Sequence, residues 1–224
     1  MNFFEKFYQL YYKPKIFFQK KSYSMFGEDL FINNFFKKNK GLYLDIGCYH
    51  PIDGNNTYLL YKRGWKGINI DINQLSISLF KIKRPNDLNL RVAISNNKAK
   101  KIKFYSRKKI NMLNTIDLKF AKKNFPNGFN TSYIKSDTLN NIIKKSKFKN
   151  HEIDFMNIDI EGNEYLSLKN FNFKKYKPKL LCVEIHHNKS KFKHKKVYKL
   201  MVKNNYKVVF KNEYSFIFKL KNLK

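Results

Sequence analysis

A short apolar run that ends in an acid and a glycine constrains the fold of this chain more than any other stretch. Residues 42–46 read Leu-Tyr-Leu-Asp-Ile, and Gly47 follows them. Such a run is typical of a strand buried on both faces of a parallel sheet. Gly47 then lies where the chain must turn sharply and where a backbone can approach a ligand closely. A plain buried strand ending in a turn would give the same pattern, so this motif alone leaves both interpretations open.

A second apolar run of the same kind follows Gly67 and ends in Asp71. In doubly wound folds, an acid at the end of the second strand accepts hydrogen bonds from a ribose diol. The loop after the first run lacks the GxGxxG pattern that holds the pyrophosphate of a dinucleotide. The turn at Asp45 and Gly47 together with a ribose-binding acid therefore favours S-adenosylmethionine (SAM) over a dinucleotide.

The composition indicates one globular domain. The chain has 224 residues, of which 42% are hydrophobic and 17% aromatic, enough to bury the core of one α/β domain. No apolar run approaches the ~18 residues that a membrane-spanning helix needs, and no signal peptide is recognisable. We therefore expect a cytoplasmic protein. Cys48 and Cys182 lack the partners of a zinc site and are interpreted as buried thiols.

The formal net charge of +31 is extreme. Such a charge can attract nucleic acid, an anionic glycan or an anionic membrane. The lysines, however, are spread through the chain, and Asn, Ile and Phe are abundant while Arg, Ala and Gly are scarce. AT-rich coding bias produces the same composition, so the charge alone does not decide the function.

Residues 1–22 mix aromatic residues with lysines and are interpreted as an N-terminal extension of a domain at 23–224. The spacing of Phe4, Phe7 and Tyr8 places aromatic rings on one side of a short helix. This helix could lie at the inner face of an anionic membrane or pack over the domain, and both alternatives stay open.

Acidic residues also follow two later predicted strands. Asp159 and Glu161 come after one strand, and Glu184 ends the other. The carboxyl ends of parallel strands form the ligand-binding edge of an open sheet, and neighbouring carboxylates there need a cation, a proton or a substrate. His186 follows Glu184 and could act as a general base or be an ordinary structural histidine. Residues 106–136 lack periodicity, which predicts a long binding loop or lid, and residues 206–220 have the signature of a terminal hairpin.

Six short motifs carry a resemblance to a known family. They are residues 23–29 (Tyr-Ser-Met-Phe-Gly-Glu-Asp), 44–51 (Leu-Asp-Ile-Gly-Cys-Tyr-His-Pro), 55–60 (Asn-Asn-Thr-Tyr-Leu-Leu), 64–71 (Gly-Trp-Lys-Gly-Ile-Asn-Ile-Asp), 84–87 (Arg-Pro-Asn-Asp) and 159–164 (Asp-Ile-Glu-Gly-Asn-Glu). In this order they resemble the FkbM family of methyltransferases. Met25 stands where the family usually has Gln, and Asp71 with Ile72 where it usually has Glu and Pro.

The resemblance implies a class I methyltransferase fold: a Rossmann-like, doubly wound α/β domain with a mostly parallel seven-stranded sheet and a C-terminal antiparallel hairpin. It further implies a SAM-dependent enzyme that methylates a hydroxyl, commonly of a sugar in a polysaccharide or natural product, so the expected partner is a glycan or small-molecule acceptor. Two alternatives are an RNA methyltransferase, for which no RNA-binding signature is visible, and a non-catalytic basic module that binds membranes or anions. Nucleic acid is not the expected partner, and the non-catalytic module should not bind SAM.

The site residues follow from the resemblance and the strand ends. The residues expected at the cofactor are Asp45 and Gly47 at the methionine end with Glu28 and Asn56 nearby, Asp71 at the ribose, Ile72 and Ala93 at the adenine, and Asp159. The residues expected at the acceptor are Asp159, Glu161, Glu184 and His186, with His186 as the base. A Mg²⁺ ion held by Asp159, Glu161 and Glu184 is a further hypothesis, because clustered carboxylates suit a hard cation.

Overall fold

The computed structural model describes residues 3–12, 21–37, 40–96, 101–107, 111–185 and 196–222. The predicted base His186 lies outside the described residues. The strands are Leu42–Ile46 (β1), Lys66–Asp71 (β2), Leu88–Arg91 (β3), Ala93–Ile94 (β4), Lys101–Ser106 (β5), Asn130–Asp137 (β6), Phe155–Ile158 (β7), Leu180–Glu184 (β8), Tyr206–Lys211 (β9) and Ser215–Leu220 (β10). The helices are Phe3–Phe7 (α1, continued by a π-helical turn at Tyr8–Tyr12), Glu28–Phe35 (α2), Tyr58–Lys62 (α3), Gln74–Lys83 (α4), Leu118–Asn124 (α5), Leu139–Lys145 (α6), Glu164–Lys169 (α7), Phe173–Tyr176 (α8) and Lys196–Lys203 (α9).

Seven strands form one sheet in the order β3-β2-β1-β7-β8-β10-β9. Strands β3, β2, β1, β7 and β8 pair in parallel, while β10 is antiparallel to both β8 and β9. The predicted doubly wound, mostly parallel seven-stranded sheet with a C-terminal antiparallel hairpin is confirmed. Chain order reverses on the two sides of β1, which makes the carboxyl ends of β1 and β7 the switch point where such sheets bind ligands.

The core lies on both faces of this sheet because its central strands are apolar on both sides. All five residues of β1 are buried. Leu44 and Ile46 pack on one face of the sheet, in a cluster that also includes residues of α6. Tyr43 packs on the other face with Trp65. This two-sided burial explains why the strand reads as a continuous apolar run rather than an alternating one. Both cysteines are buried, as predicted.

The interpretation of residues 106–136 as one long loop is wrong in part, because α5 and most of β6 lie within it. Strand β6 pairs antiparallel with β5 and parallel with β4, so these three strands form a second sheet. The first four residues of β6 are exposed and include Asn130, Thr131 and Ser132. A strand with so few buried apolar residues gives no clear period of two, which is why its sequence did not predict it.

The N-terminal helical segment packs on the domain through its π-helical turn, where Tyr11 lies beside Leu10 and the Gln9 carbonyl oxygen is 2.9 Å from His50 Nε2. Leu10 is buried against Leu75 and Leu79 of α4. Most of its aromatic side chains instead face solvent, and Phe3 and Phe4 are 74% and 78% exposed. Within the described part of the chain, no helix combines the length and apolar character needed to cross a membrane.

Gly47 is required by the packing of two strand ends. Its φ of +75° lies in the left-handed region that favours glycine, and a Cβ atom built on it would lie 1.6 Å from the carbonyl oxygen of Asp159. The Gly47 N–H donates to the carbonyl oxygen of Ile70 at 2.8 Å. The turn after β1 is therefore fixed between the ends of β2 and β7 and leaves no room for a side chain.

The replacement Gly47→Ala should destabilise the protein more than the matched replacement Gly64→Ala. Gly64 also has a left-handed φ, +83°, but a Cβ atom added there would have no heavy atom within 4 Å. Gly64→Ala should therefore cost only backbone strain, about 1 kcal/mol. Gly47→Ala must also displace the Asp159 backbone and should cost more. Urea unfolding measures both, and equal losses would contradict a steric requirement at Gly47.

Candidate active site

Two adjoining cavities lie at the carboxyl ends of β1, β2, β7 and β8. The first has about 800 Å³ of empty space, including its open mouth. Of the residues predicted to bind the cofactor, those that line it are Asp45, Gly47, Asn56, Asp71, Ile72, Ala93 and Asp159. Sequence reasoning therefore placed seven of its eight cofactor residues around one cavity. That they bind SAM stays a prediction.

Asp71 is held at the wall of the first cavity by two backbone donors and by the hydroxyl of Ser76, which donates to its Oδ2 at 3.3 Å. Its Oδ2 accepts from the Tyr49 N–H at 2.8 Å, and its Oδ1 accepts from the Asn73 N–H at 2.7 Å. Asn73 in turn caps α4 by accepting from the Leu75 N–H at 2.8 Å. Burial raises the pKa of Asp71 to about 6. A carboxylate accepts up to about four hydrogen bonds, so these contacts leave capacity for a ligand hydroxyl.

Asp45 borders the same cavity, but its carboxylate is committed to internal hydrogen bonds. Its Oδ2 accepts from Thr57 Oγ1 at 2.8 Å and from Asn55 Nδ2 at 3.2 Å, and its Oδ1 accepts from Asn157 Nδ2 at 2.9 Å. Burial raises the pKa of Asp45, and the positive charge of Arg84 opposes that shift. Asp45 therefore joins β1 to β7 and to the loop before α3. Its predicted contact with the methionine end of a cofactor stays untested.

Arg84, in the motif at residues 84–87, is a buried cation beneath the loop before α3. It is fully buried. Its guanidinium donates to Thr57 Oγ1 and Asn55 Oδ1, both at 2.8 Å, and to the carbonyl oxygen of Pro51. It also lies within 5.9 Å of four aromatic ring centroids, those of Tyr43, Tyr58, Tyr61 and Phe80. The motif thus has a structural role, which its sequence did not reveal.

The second cavity has carboxylates on its inner wall and apolar side chains at its rim. The carboxylates belong to Glu28, Asp159, Glu161 and Glu184, and the large apolar side chains to Met25, Phe26, Met112, Leu113 and Tyr214. Tyr49, Gly54, Asn56, Asn111, Met112 and Asp159 line both cavities, so the two are continuous.

Glu28 is predicted beside the methionine end of the cofactor, but the structure places it in the second cavity. Its Oε1 accepts from Asn212 Nδ2 at 2.6 Å, and its Oε2 accepts from the Phe26 N–H at 3.0 Å. Glu28 lies there because α2 packs against the C-terminal hairpin, as the contact between Phe31 and Phe210 shows. Sequence spacing does not reveal that tertiary contact.

The carboxylates predicted at the acceptor side do come together. One oxygen from each of Asp159, Glu161 and Glu184 lies within 4.8 Å of the other two. Burial raises the pKa of Asp159 well above its usual range, and the charge of Glu184 and a hydrogen bond with Glu184 raise it further. Three carboxylates this close carry less than their full negative charge or neutralise it with a cation. This cluster is the metal-binding candidate among the described residues.

The loop that presents this cluster is folded by Glu164. Glu164 Oε1 accepts from the N–H groups of Ile160 and Gly162, both at 3.1 Å. Glu161 has a positive φ of 54°, and its carbonyl oxygen accepts from Thr115 Oγ1 at 3.0 Å. A non-glycine residue in this region is strained, and the surrounding hydrogen bonds hold it there.

Glu164 should make the protein less stable as pH rises from about 4.5 to 7. Burial raises its pKa from 4.5 to about 7, so the folded state binds a proton in this range that the unfolded state has released. The free energy of unfolding should fall by up to about 3 kcal/mol across it. Glu164→Gln keeps an accepting oxygen but cannot ionise, so its unfolding free energy should depend less on pH and exceed that of the wild type at pH 8.

Urea unfolding at several pH values tests this expectation. Glu152→Gln is the matched control, because Glu152 is exposed beside Lys179. That variant should keep the wild-type pH profile. A Glu164→Gln profile as steep as that of the wild type would show that another group carries the pH dependence.

Sequence reasoning missed the residues that approach the cavities from the segment between β5 and α5. Asn111, Met112, Asn114, Thr115 and Ile116 line the first cavity, and Asn111, Met112 and Leu113 line the second. No motif marks them, because their position depends on an isolated bridge between Thr115 and Tyr105. The only available signal was the general expectation of a binding loop in this part of the chain.

Comparison with known proteins links this site to one family. The family model described as the methyltransferase FkbM domain matches residues 45–208. This range contains the carboxyl ends of β1 and β7 and every predicted site residue except Glu28. No curated protein matches the chain.

Proposed function

The chain belongs to the FkbM methyltransferase family, and we propose that it is an O-methyltransferase that moves the methyl group of SAM to a hydroxyl of a saccharide. The proposal rests on the junction of two cavities of different character. Tyr49, Asn56 and Asp159 line both cavities. A cofactor in the first cavity and an acceptor in the second would therefore meet beside Asp159. Holding two reactants in contact lowers the free-energy barrier to methyl transfer.

The first cavity fits SAM by the chemistry of its walls. Asp71 offers carboxylate oxygens for ribose hydroxyls, and Ile72 and Ala93 provide an apolar wall for adenine. Gly47 keeps the floor of the turn free of a side chain. When bound, SAM supplies a methyl group already activated on a sulfonium. The task left to the protein is to orient the acceptor hydroxyl and to take its proton.

The second cavity suits a saccharide because it combines an aromatic rim with an acidic inner wall. Phe26 and Tyr214 stack with ring centroids 5.3 Å apart and are 44% and 38% exposed. A sugar ring has an apolar C–H face that can lie on aromatic rings and hydroxyl groups that can donate to carboxylates. The cluster of Asp159, Glu161 and Glu184 supplies those acceptors.

The same wall disfavours an acceptor that carries phosphate near the reacting hydroxyl. Among the described residues that line the second cavity, none is Lys, Arg or His. Glu28, Glu161 and Glu184 would repel a phosphate, whereas a neutral sugar meets no such penalty. We therefore favour a neutral saccharide over RNA as the acceptor, although the net charge of +31 would suit RNA.

Deprotonation of the acceptor is assigned to the carboxylate cluster. A hydroxyl needs a base or a metal ion to take its proton. The raised pKa of Asp159 brings this group closer to the range of an effective base. A Mg²⁺ ion bound by Asp159, Glu161 and Glu184 is the second way to activate the hydroxyl, since oxygen ligands suit this ion. His186 remains the predicted base from sequence.

Calorimetric titration with SAM and its demethylated product, S-adenosylhomocysteine (SAH), tests the cofactor part of this proposal. The wild type should bind both ligands, and Asp71→Asn should bind SAH about tenfold more weakly, a loss of about 1.4 kcal/mol.

The affinity for SAH should also depend on pH, because the ionised carboxylate accepts from ribose and burial raises the pKa of Asp71 to about 6. Affinity in the wild type should therefore fall as pH drops below about 6, and in Asp71→Asn it should not. Glu152→Gln, at an exposed carboxylate, should behave as the wild type. Absence of SAM and SAH binding by the wild type would refute a methyltransferase function.

Transfer of a tritiated methyl group from SAM tests the acceptor part. Neutral oligosaccharides should become labelled, and phosphorylated ones should be labelled less. Glu184→Gln should lose at least about tenfold in rate, because it removes a carboxylate from the cluster. If the cluster holds Mg²⁺, EDTA should abolish transfer and added Mg²⁺ should restore it.

The labelling experiment has clear contrary outcomes. Transfer undiminished by EDTA would refute the Mg²⁺ hypothesis and leave a shared proton to balance the charge of the cluster. Preferential labelling of RNA or of phosphorylated sugars would refute a neutral acceptor.

A further inference from the structure

One buried side chain in the first cavity has polar atoms that the protein does not satisfy. Asn114 is 8% exposed and lines this cavity, and neither its Oδ1 nor its Nδ2 has a hydrogen-bond partner. Buried amides are almost always hydrogen-bonded in folded proteins, because an unsatisfied donor or acceptor is destabilising. An amide that lacks both partners at the wall of a ligand cavity indicates that the ligand supplies them.

The backbone at Asn114 is held in place by its neighbour Thr115. Thr115 and Tyr105 exchange two backbone hydrogen bonds, at 2.8 and 3.1 Å. The hydroxyl of Thr115 also donates to the carbonyl oxygen of Glu161 at 3.0 Å. Asn114 is thus a fixed part of the wall rather than the tip of a free loop.

The neighbours of Asn114 indicate which part of a ligand it meets. Ile116 packs in the same cluster as Ile72 and Ala93, which form the apolar wall assigned to adenine. Asn114 and Ile116 line the same cavity as Ile72 and Ala93. A base stacked against that wall would therefore have an edge within reach of Asn114.

A second amide side chain in the first cavity also has a buried polar atom without a hydrogen-bond partner. Asn163 is the N-cap residue of α7, a position where Asn normally accepts from the first turn of the helix, yet its side chain makes no such bond. Its Nδ2 is buried without a partner and Asn163 lines the first cavity. The cavity thus holds more buried hydrogen-bonding groups than the protein itself satisfies.

We propose that Asn114 recognises the 6-aminopurine of the cofactor through a pair of hydrogen bonds. Its Oδ1 accepts from the 6-amino group, and its Nδ2 donates to an adjacent ring nitrogen. A carboxamide has one acceptor and one donor side by side, which is the complement of this edge of adenine. The proposal rests on the proposed use of SAM and adds a residue that selects the base.

The proposal predicts opposite effects on stability and on binding. Asn114→Leu is similar in size but removes the unsatisfied amide, so the Tm of the ligand-free protein should rise. Its affinity for SAH should fall about tenfold to a hundredfold, because the base edge loses its partners. Asn89→Leu is the matched control, since Asn89 is half-buried and already bonded to Asn69 and to the Arg84 carbonyl oxygen. That control should lose Tm and keep its affinity for SAH.

A thermodynamic cycle separates base recognition from a structural effect. Calorimetry compares SAH with an analogue in which purine, lacking the 6-amino group, replaces adenine. Each ligand is titrated into the wild type and into Asn114→Ala. The wild type should bind the analogue at least about tenfold more weakly than SAH, while Asn114→Ala should bind the two equally weakly.

Two results would overturn the proposal while leaving SAM binding intact. One is an unchanged SAH affinity in both Asn114 variants, and the other is an equal preference for SAH over the analogue in the wild type and in Asn114→Ala. Failure of the wild type to bind SAH at all would instead refute the proposed function on which this proposal rests.

Discussion

A buried chain of hydrogen bonds from Arg84 to Asp45 fixes the geometry on which both cavities depend. Arg84 donates to Thr57 and Asn55, and both of these residues donate to Asp45. A buried charge is strongly destabilising unless other groups compensate it. Here the guanidinium lies among aromatic rings as well, and the carboxylate has a further donor in Asn157. The network therefore holds the loop before α3, the end of β1 and the end of β7 in one arrangement.

The cluster of carboxylates in a protein of net charge +31 separates the local charge of the candidate site from the total charge of the protein. Lysines distributed over the surface act at long range and are screened by salt. Asp159, Glu161 and Glu184 act at short range in a partly buried place, where screening by salt is weaker than at the surface. The second cavity therefore has a local charge opposite in sign to the field that the whole protein presents to its surroundings.

The sequence predicted the features that follow from the geometry of parallel strands. Continuous apolar runs identified β1 and β2, and the acids at strand ends came together because parallel strands share a carboxyl edge. It did not predict β6, which has few buried apolar residues. It did not reveal that Glu28 lies in the wall of the second cavity, which depends on packing of α2 against the hairpin, and it missed Asn114, whose position depends on a single bridge. Contacts between segments that are distant in the chain leave no local pattern in the sequence from which these positions could be predicted.

The two cavities share several residues but differ in their use of the C-terminal hairpin. The described lining of the first lies within residues 45–163, whereas the second takes Tyr214 and Ser215 from the hairpin. Asn212 of the same hairpin donates to Glu28, which also lines the second cavity. Substitutions in this hairpin can therefore reshape the second cavity without touching a residue of the first. Under the proposed function, a protein divided in this way could acquire new acceptors during evolution while its methyl donor stays the same.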